Sequence, residues 1–250
     1  MWRRNLRTLR DVITRQIDEP IDLTDRHPGA LIGSGRKSEI REFGADAVIC
    51  VGHRGASMAH EAEVLQLVSD AGYPCPTPLA LLDENSLVME RVDGPTMLAE
   101  LTTKPWLVPR RAKLLADLHR RLGEIEAPPS WPSVGPGSSI VHLGLHPGNV
   151  IMTKNGSVVI DWSYAARGST DLDAALTYVV LLTGRVAGNS MIKGAVASFR
   201  KTFAAAFLKA MGSEAVLAHI TEAAELRLLD PNLFATERDA VFALGRGDIQ

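Results

Sequence analysis

The sequence predicts an α+β fold of two lobes, a small β-rich one over residues 1–92 and a larger helical one over 93–250. Three observations carry that expectation. Before Asp93-Gly94-Pro95, short apolar and β-branched runs alternate with turn residues, the pattern of strands. After it, apolar residues recur at the three- and four-residue spacing of amphipathic helices. A chain of 250 residues can bury a sizeable core or divide it between two lobes.

Taken in order, Leu6, Leu9, Val12, Ile13 and Ile17 predict an amphipathic helix that ends before Pro20. Extended runs follow at about 29–33, 38–43 and 47–52. A helix is expected from about 57 to 71, with Val64, Leu67, Val68 and Ala71 on one face and Gly72 as its stop. Two further strands, Pro78–Leu82 and Ser86–Arg91, flank the turn Asp83-Glu84-Asn85. Leu114, Leu115, Leu118, Leu122 and Ile125 mark a long helix to about Ala127, and the Pro-, Gly- and Ser-dense stretch from Pro128 to Ser139 reads as a surface loop. Val150–Met152 and Ser157–Ile160 read as a hairpin around Asn155-Gly156, a dipeptide suited to a type I′ turn. With those two residues as the loop, Val150 lies opposite Asp161. Helices then dominate from about 171, broken near Gly188, Gly212 and Pro231.

Composition narrows the function classes. A formal net charge of −2 gives no basic face, so nucleic acid is not an expected partner. The most apolar stretch, Ala174 to Leu182, is far shorter than the roughly 20 residues of a membrane span. Two cysteines, Cys50 and Cys75, make no disulfide framework, and no apolar segment follows the charged start Met1-Trp2-Arg3-Arg4, so a cytoplasmic protein is expected.

Chemistry concentrates in the run HLGLHPGNVIMTKNGSVVIDW, His142 to Trp162. The hairpin brings Asn149 and Asp161 to one end, and an amide oxygen with a carboxylate suits Mg²⁺, a hard cation that completes its shell with water and phosphate. Taken singly, either residue reads equally well as a turn or capping residue. Upstream, Gly33-Ser34-Gly35-Arg36-Lys37-Ser38 is a GxGxxS turn between two expected strands, where main-chain N–H groups can approach phosphates. A plain hairpin reads the same way.

The run resembles the HGDLHPGN…IDW signature of the aminoglycoside phosphotransferase and choline kinase family. His142, Leu145, His146, Pro147, Gly148, Asn149 and Asp161 match, whereas Gly144 stands where that family has its catalytic aspartate. The resemblance extends over about 28–182. It implies a bilobal protein kinase-like fold, ATP or another nucleoside triphosphate with Mg²⁺, and a small hydroxyl-bearing acceptor, the nucleotide sitting between the lobes. It implies further that the strand Ala47–Val51 places Cys50 where the family has the lysine that grips the phosphates, and that Glu61 is that lysine's partner. Arg36 and Lys37 are the nearby cations able to substitute. Met89, Glu90 and Val92 fall in the expected hinge that meets adenine, and Asp173 matches an aspartate that braces the catalytic loop.

Two substitutions therefore bear on activity. His142 and His146 flank the gap at Gly144, either as rescue bases or as structural residues. A positioned base contributes about 10²–10⁴-fold, so the expectation is a small-molecule kinase that is weak or inactive. The alternative is a nucleotide-binding pseudokinase acting as a sensor or interaction protein. A purely structural helical protein requires the whole motif to be a relic. From 170 to 250, nine Asp or Glu against eight Lys or Arg give no acidic cleft for a polycation. Trp131, Trp162 and Tyr164 define no aromatic cage for a choline-like ligand. The acceptor stays open.

Overall fold

In the computed structural model the described residues are 23, 26–35, 37–184, 190–231 and 233–247. The expected N-terminal helix, the cation Arg36 and the break near Gly188 lie outside them. The chain divides into two compact units, one of residues up to Asp93 together with Val158–Ser163, the other of Gly94–Ser157 and the residues from Tyr164 onward. The six residues 158–163 thus group with the N-terminal part of the chain.

The first unit is built on a five-stranded antiparallel sheet in the order β1-β2-β3-β5-β4, where β1 is Leu31–Ser34, β2 Ser38–Glu42, β3 Ala47–Gly52, β4 Pro78–Asp83 and β5 Ser86–Glu90. Strand β3 is central, and its residues AVICVG are buried on both faces except for the half-buried Val51. That fits a continuous apolar run better than the alternation of a half-exposed strand. Phe43, Ala47, Ile49 and Val88 form the core of one face, with Leu23, Val51, Leu79 and Ala80 packed around them. Helix α1, Ala59–Asp70, packs near β4 and ends at Gly72, whose φ of +72° is the left-handed geometry that favours glycine at a helix end. Its buried face is Glu61, Ala62, Val64, Leu65 and Val68, so Leu67 and Ala71 do not belong to it as the periodicity suggests.

The second unit is mainly helical. Helix α2, Met97–Thr103, is capped by Thr96, whose hydroxyl accepts from Ala99 N at 3.1 Å. Helix α3, Val108–Gly123, ends four residues before Ala127, and its last residue, Gly123, lies against Thr170 with no space for a side chain. Helix α4, Thr170–Thr183, starts at Ser169, whose Oγ accepts from Asp171 N at 3.2 Å. Helices α5, Ser190–Met211, α6, Ser213–Ala218, α7, Ile220–Leu228, and α8, Ala235–Gly245, follow. Leu115, Leu118, Leu122, Leu172, Val179, Phe203 and Phe207 fill the space between them.

The expected loop 128–139 is partly sheet. Strand β6, Ser133–Val134, pairs in parallel with β10, Ala166–Gly168, which pairs antiparallel with β7, Ser139–Val141. The hairpin of β8, Val150–Thr153, and β9, Gly156–Val159, forms as expected, but its turn residues are Lys154 and Asn155, one earlier than the Asn-Gly dipeptide predicts. Thr153 fixes that turn, since its Oγ1 accepts from Asn155 N at 3.1 Å and donates to Gly156 O at 3.0 Å. Among the described residues no helix is long and apolar enough to cross a membrane.

Candidate active site

In the second unit the segment 142–149 is a loop whose shape is held from below. Asp173, on the first turn of α4 and almost fully buried, accepts from His142 N at 3.0 Å and from Leu143 N at 2.8 Å. Those two bonds hold Leu143 at φ +60°, a left-handed conformation that costs a non-glycine residue about 1–2 kcal/mol. The strain in this loop therefore falls on Leu143 and not on Gly144. Burial alone would raise the Asp173 carboxyl, yet His119, His142 and the backbone N–H of His142 together hold it below its ordinary value. His119 Nδ1 stands 3.4 Å from Asp173 Oδ2, an electrostatic approach and not an aligned hydrogen bond. Thr177 Oγ1, one turn further along α4, donates to Leu145 O at 2.9 Å.

Above this brace, Gly144 O accepts from His146 N at 2.9 Å and from Asn149 Nδ2 at 2.9 Å. A carbonyl can only accept, so the Asn149 amide nitrogen must face Gly144 and its Oδ1 is directed elsewhere as an acceptor. A β-carbon on Gly144 would meet His142 Nδ1 at 3.5 Å and Asn149 Nδ2 at 3.7 Å, ordinary contact distances, and the residue has no positive φ. Nothing in the backbone or its surroundings requires glycine there. His142 is fully buried, and His146 Nδ1 accepts from Gly148 N at 3.1 Å, which ties that ring nitrogen to the turn.

In the first unit the glycine-rich turn joins β1 to β2 and is closed by Gly35 N donating to Ser38 O at 2.8 Å. Gly33 and Gly35 both lack a positive φ, and a β-carbon on either would meet its neighbours only at 3.6 Å or more. Lys37 leaves the turn so that its Nζ donates to Ser163 O at 2.8 Å. Burial pulls its ammonium below the ordinary lysine value, while the negative Glu61 and Asp161 oppose that pull. Cys50, in mid-strand on β3, is buried with Sγ 3.0 Å from Ser38 Oγ. Burial pushes its thiol up to about 12, against the Ser38 hydrogen bond, so it is neutral and unreactive at physiological pH.

Glu61 projects from α1 into the same buried region, and its Oε1 accepts from Trp162 N at 3.3 Å. Burial lifts its carboxyl to about 7, Asp161 adds to the rise, and the Trp162 N–H and Lys37 oppose it. Asp161 is exposed at φ +65°, and its Oδ1 accepts from Ser163 Oγ at 2.8 Å. Trp162 anchors the segment in the core. Its Nε1 donates to Val159 O at 3.0 Å and its ring meets Tyr73 edge-on at 5.6 Å. Four of the residues singled out in the sequence, Lys37, Cys50, Glu61 and Asp161, are therefore one neighbourhood.

In the segment expected to meet adenine, Met89 is buried, Glu90 N donates to Thr77 O at 2.9 Å and Arg91 N to Asp46 O at 2.8 Å. That leaves Val92 as the residue of this segment whose N–H is not committed to those partners. Trp131 and Trp162 are buried in their own units, and Tyr164 is the exposed one of the three aromatics considered for a cage. Ser163 and Leu143 carry no signal that single-residue reading singles out. For Ser163 the available hint is the Asp-x-Ser spacing, at which a serine hydroxyl reaches a carboxylate two residues back.

Oxygen donors of the right kind for Mg²⁺ are present in each unit. Asp161 offers an exposed carboxylate with one oxygen still available, and Asn149 an amide oxygen whose direction the Gly144 carbonyl sets. Among the described residues no three His, Cys, Asp or Glu side chains cluster as a separate metal site.

Residues 126–219 match the model of the phosphotransferase enzyme family. No curated protein matches the chain in sequence. Among solved structures, the ADP-bound aminoglycoside phosphotransferase APH(2″)-Ib is similar with a TM-score of 0.60 and 14% identity over 91% of this chain and 96% of that one. The streptomycin–ATP ternary complex of APH(2″)-IIa gives 0.59 and 15% over 91% and 93%. A choline/ethanolamine kinase family protein from Mesorhizobium loti gives 0.55 and 13% over 91% and 89%. The fold is thus the α+β, protein kinase-like fold of these phosphotransferases, and the resemblance read in the sequence holds.

Proposed function

We propose, from a phosphotransferase-family segment set in a kinase-like fold, that this protein binds ATP with Mg²⁺ and transfers phosphoryl groups slowly to a small hydroxyl-bearing molecule. The observation that carries the reading is Lys37. Its ammonium lies within the field of Glu61 and Asp161 and is hydrogen-bonded to Ser163 O. A cation from the glycine-rich turn thus supplies the charge that the neutral Cys50 cannot. In phosphoryl transfer most of the catalysis is positioning and neutralisation of charge on the phosphates, and this half of the site is intact in the chain.

Each residue then has a role. The absence of side chains at Gly33 and Gly35 leaves the turn open to approach by the phosphates, since neither glycine is required by backbone conformation, while the Gly35 N–H itself stays on Ser38 O. Lys37 faces the same phosphates, and Glu61 holds the charge balance behind it. Met89 and the backbone of Glu90 to Val92 receive the base, with the Val92 N–H as donor. Asp161 is the carboxylate ligand we assign to Mg²⁺, which, when bound, would neutralise charge on the phosphates. Solved structures of the same fold hold ATP with streptomycin, or ADP, which supports a nucleotide and a small-molecule acceptor here.

The slow step follows from Gly144. The buried His142 cannot touch an acceptor, and His146 has one ring nitrogen committed to Gly148, so we assign neither as a replacement base. The same observation favours a second reading, a nucleotide-binding sensor with no turnover. Titrating ATP with and without Mg²⁺, then measuring transfer to amino alcohols, sugars, aminoglycosides and water, separates the two. Gly144→Asp, alone and with Cys50→Lys, is expected to raise transfer at least about tenfold, the cautious end for a positioned base. The loop accommodates it, because the new β-carbon meets no atom closer than 3.5 Å. A folded double variant that binds ATP-Mg yet transfers no faster leaves the sensor reading. Loss of ATP binding in neither Lys37→Ala nor Asp161→Ala would refute both.

A further inference from the structure

We infer that Ser163 is the positioning residue of this site, through two separable parts of itself. Its hydroxyl donates to Asp161 Oδ1 at 2.8 Å, and its carbonyl accepts from Lys37 Nζ at 2.8 Å. The inference rests on the assignment of Asp161 to the metal and Lys37 to the phosphates.

The geometry gives each part a consequence. Asp161 is held at φ +65°, a region that aspartate tolerates better than most residues but which does not by itself fix the carboxylate. The residue is exposed, so without a partner its side chain would sample several rotamers. The Ser163 hydroxyl restricts that freedom and occupies Oδ1, so that Oδ2 is the oxygen that would be offered to a cation. Behind it, the Trp162 N–H donates to Glu61 Oε1 at 3.3 Å and the Trp162 ring is buried, so the 161–163 backbone is a fixed platform. The Ser163 carbonyl then ties Lys37 to that platform. One residue thereby sets the spacing between the metal carboxylate and the phosphate-facing ammonium.

The two roles predict different responses. In Ser163→Ala the carbonyl and its bond to Lys37 remain, so ATP affinity in EDTA stays unchanged, whereas the Mg²⁺ concentration for half-maximal nucleotide binding rises about five- to tenfold. That factor lies a little below the range for a hydrogen bond to a charged group, as befits an exposed pair. Ser163→Thr keeps the hydroxyl and restores the wild-type value within about twofold. The measurement is titration of Mg²⁺ against a fluorescent ATP analogue, with thermal unfolding run on each variant as a check of folding. The double variant Ser163→Ala with Asp161→Ala should behave as Asp161→Ala alone, since the hydroxyl acts only through that carboxylate.

Unchanged or tighter Mg²⁺ dependence in Ser163→Ala, with Asp161→Ala losing it, overturns the role of Ser163 and leaves the metal assignment standing. An equal loss in Ser163→Thr also overturns it, because the hydroxyl is then not what matters. Mg²⁺ dependence that survives in Asp161→Ala, or is absent in the wild type, removes the metal assignment and this inference with it.

Discussion

Replacing Glu61 by glutamine should stabilise the protein at alkaline pH and leave it unchanged at acid pH. Burial, with Asp161 beside it, lifts the Glu61 carboxyl from 4.5 to about 7, with the Trp162 N–H and Lys37 opposing. At about 1.36 kcal/mol per pH unit, that difference is worth about 3 kcal/mol. The sign follows from the protons. Between 4.5 and 7 the folded protein holds a proton that the unfolded chain has released, so stability falls as pH rises through this window. The contribution is complete below 4.5 and lost above about 7. Glutamine has the shape of the protonated acid and retains an oxygen for the Trp162 N–H at Oε1. Glu61→Gln should therefore gain up to about 3 kcal/mol at pH 8.5 and nothing at pH 4.5. Urea denaturation of both proteins at the two pH values, in EDTA and without nucleotide, measures it. Parallel stability profiles would show that Glu61 ionises normally, and that its carboxyl is not buried as described above.

Asp173→Ala leaves the His142 and Leu143 N–H groups without their acceptor, each worth about 1–3 kcal/mol when buried, and denaturation should record a loss of several kcal/mol. Because the Asp173 carboxyl is held low, its contribution is present above the ordinary aspartate value and disappears as pH falls below it, so wild type and variant should converge in acid. Leu143→Gly should be more stable than Leu143→Ala by about 1 kcal/mol, since both remove the side chain and only glycine relieves the φ of +60°; equal stabilities would place the strain elsewhere. Both thiols, pushed up to about 12 by burial, should resist a thiol reagent at pH 8 in the native protein and react only after unfolding.

The strand that carries Cys50 was legible because it is an apolar run bounded by turn residues, buried except at the half-buried Val51. The small sheet of β6, β7 and β10 was not. Its strands are two or three residues long, lie among Pro, Gly and Ser, and pair across more than twenty residues, so no local pattern encodes them. Helix α3 could have been ended at Gly123 by its glycine, but Ile125 continued the apolar spacing and hid the stop. At the site, a motif string located His142, Gly144, Asn149 and Asp161 one by one. What it could not contain was the association of Lys37 with Ser163 and of Glu61 with Trp162, contacts between residues 126 and 101 positions apart. The conformational load on Leu143 was equally hidden, since leucine carries no signal for a positive φ.

The grouping of Val158–Ser163 with the N-terminal residues means that the first unit cannot be cut out as one continuous segment. A fragment ending at Asp93 would contain Lys37, Glu61 and Tyr73 but not the three groups of the later segment that they meet: the Ser163 carbonyl, the Trp162 N–H and the Trp162 ring. The buried Glu61 carboxyl would lose the N–H that it accepts from, and the Lys37 ammonium one of its acceptors. Such a fragment should express as an unstable or aggregating chain, whereas one in which residues 158–163 are appended through a flexible linker regains those three contacts. A boundary drawn at residue 93 therefore describes where the sequence changes character, and not where the protein can be divided.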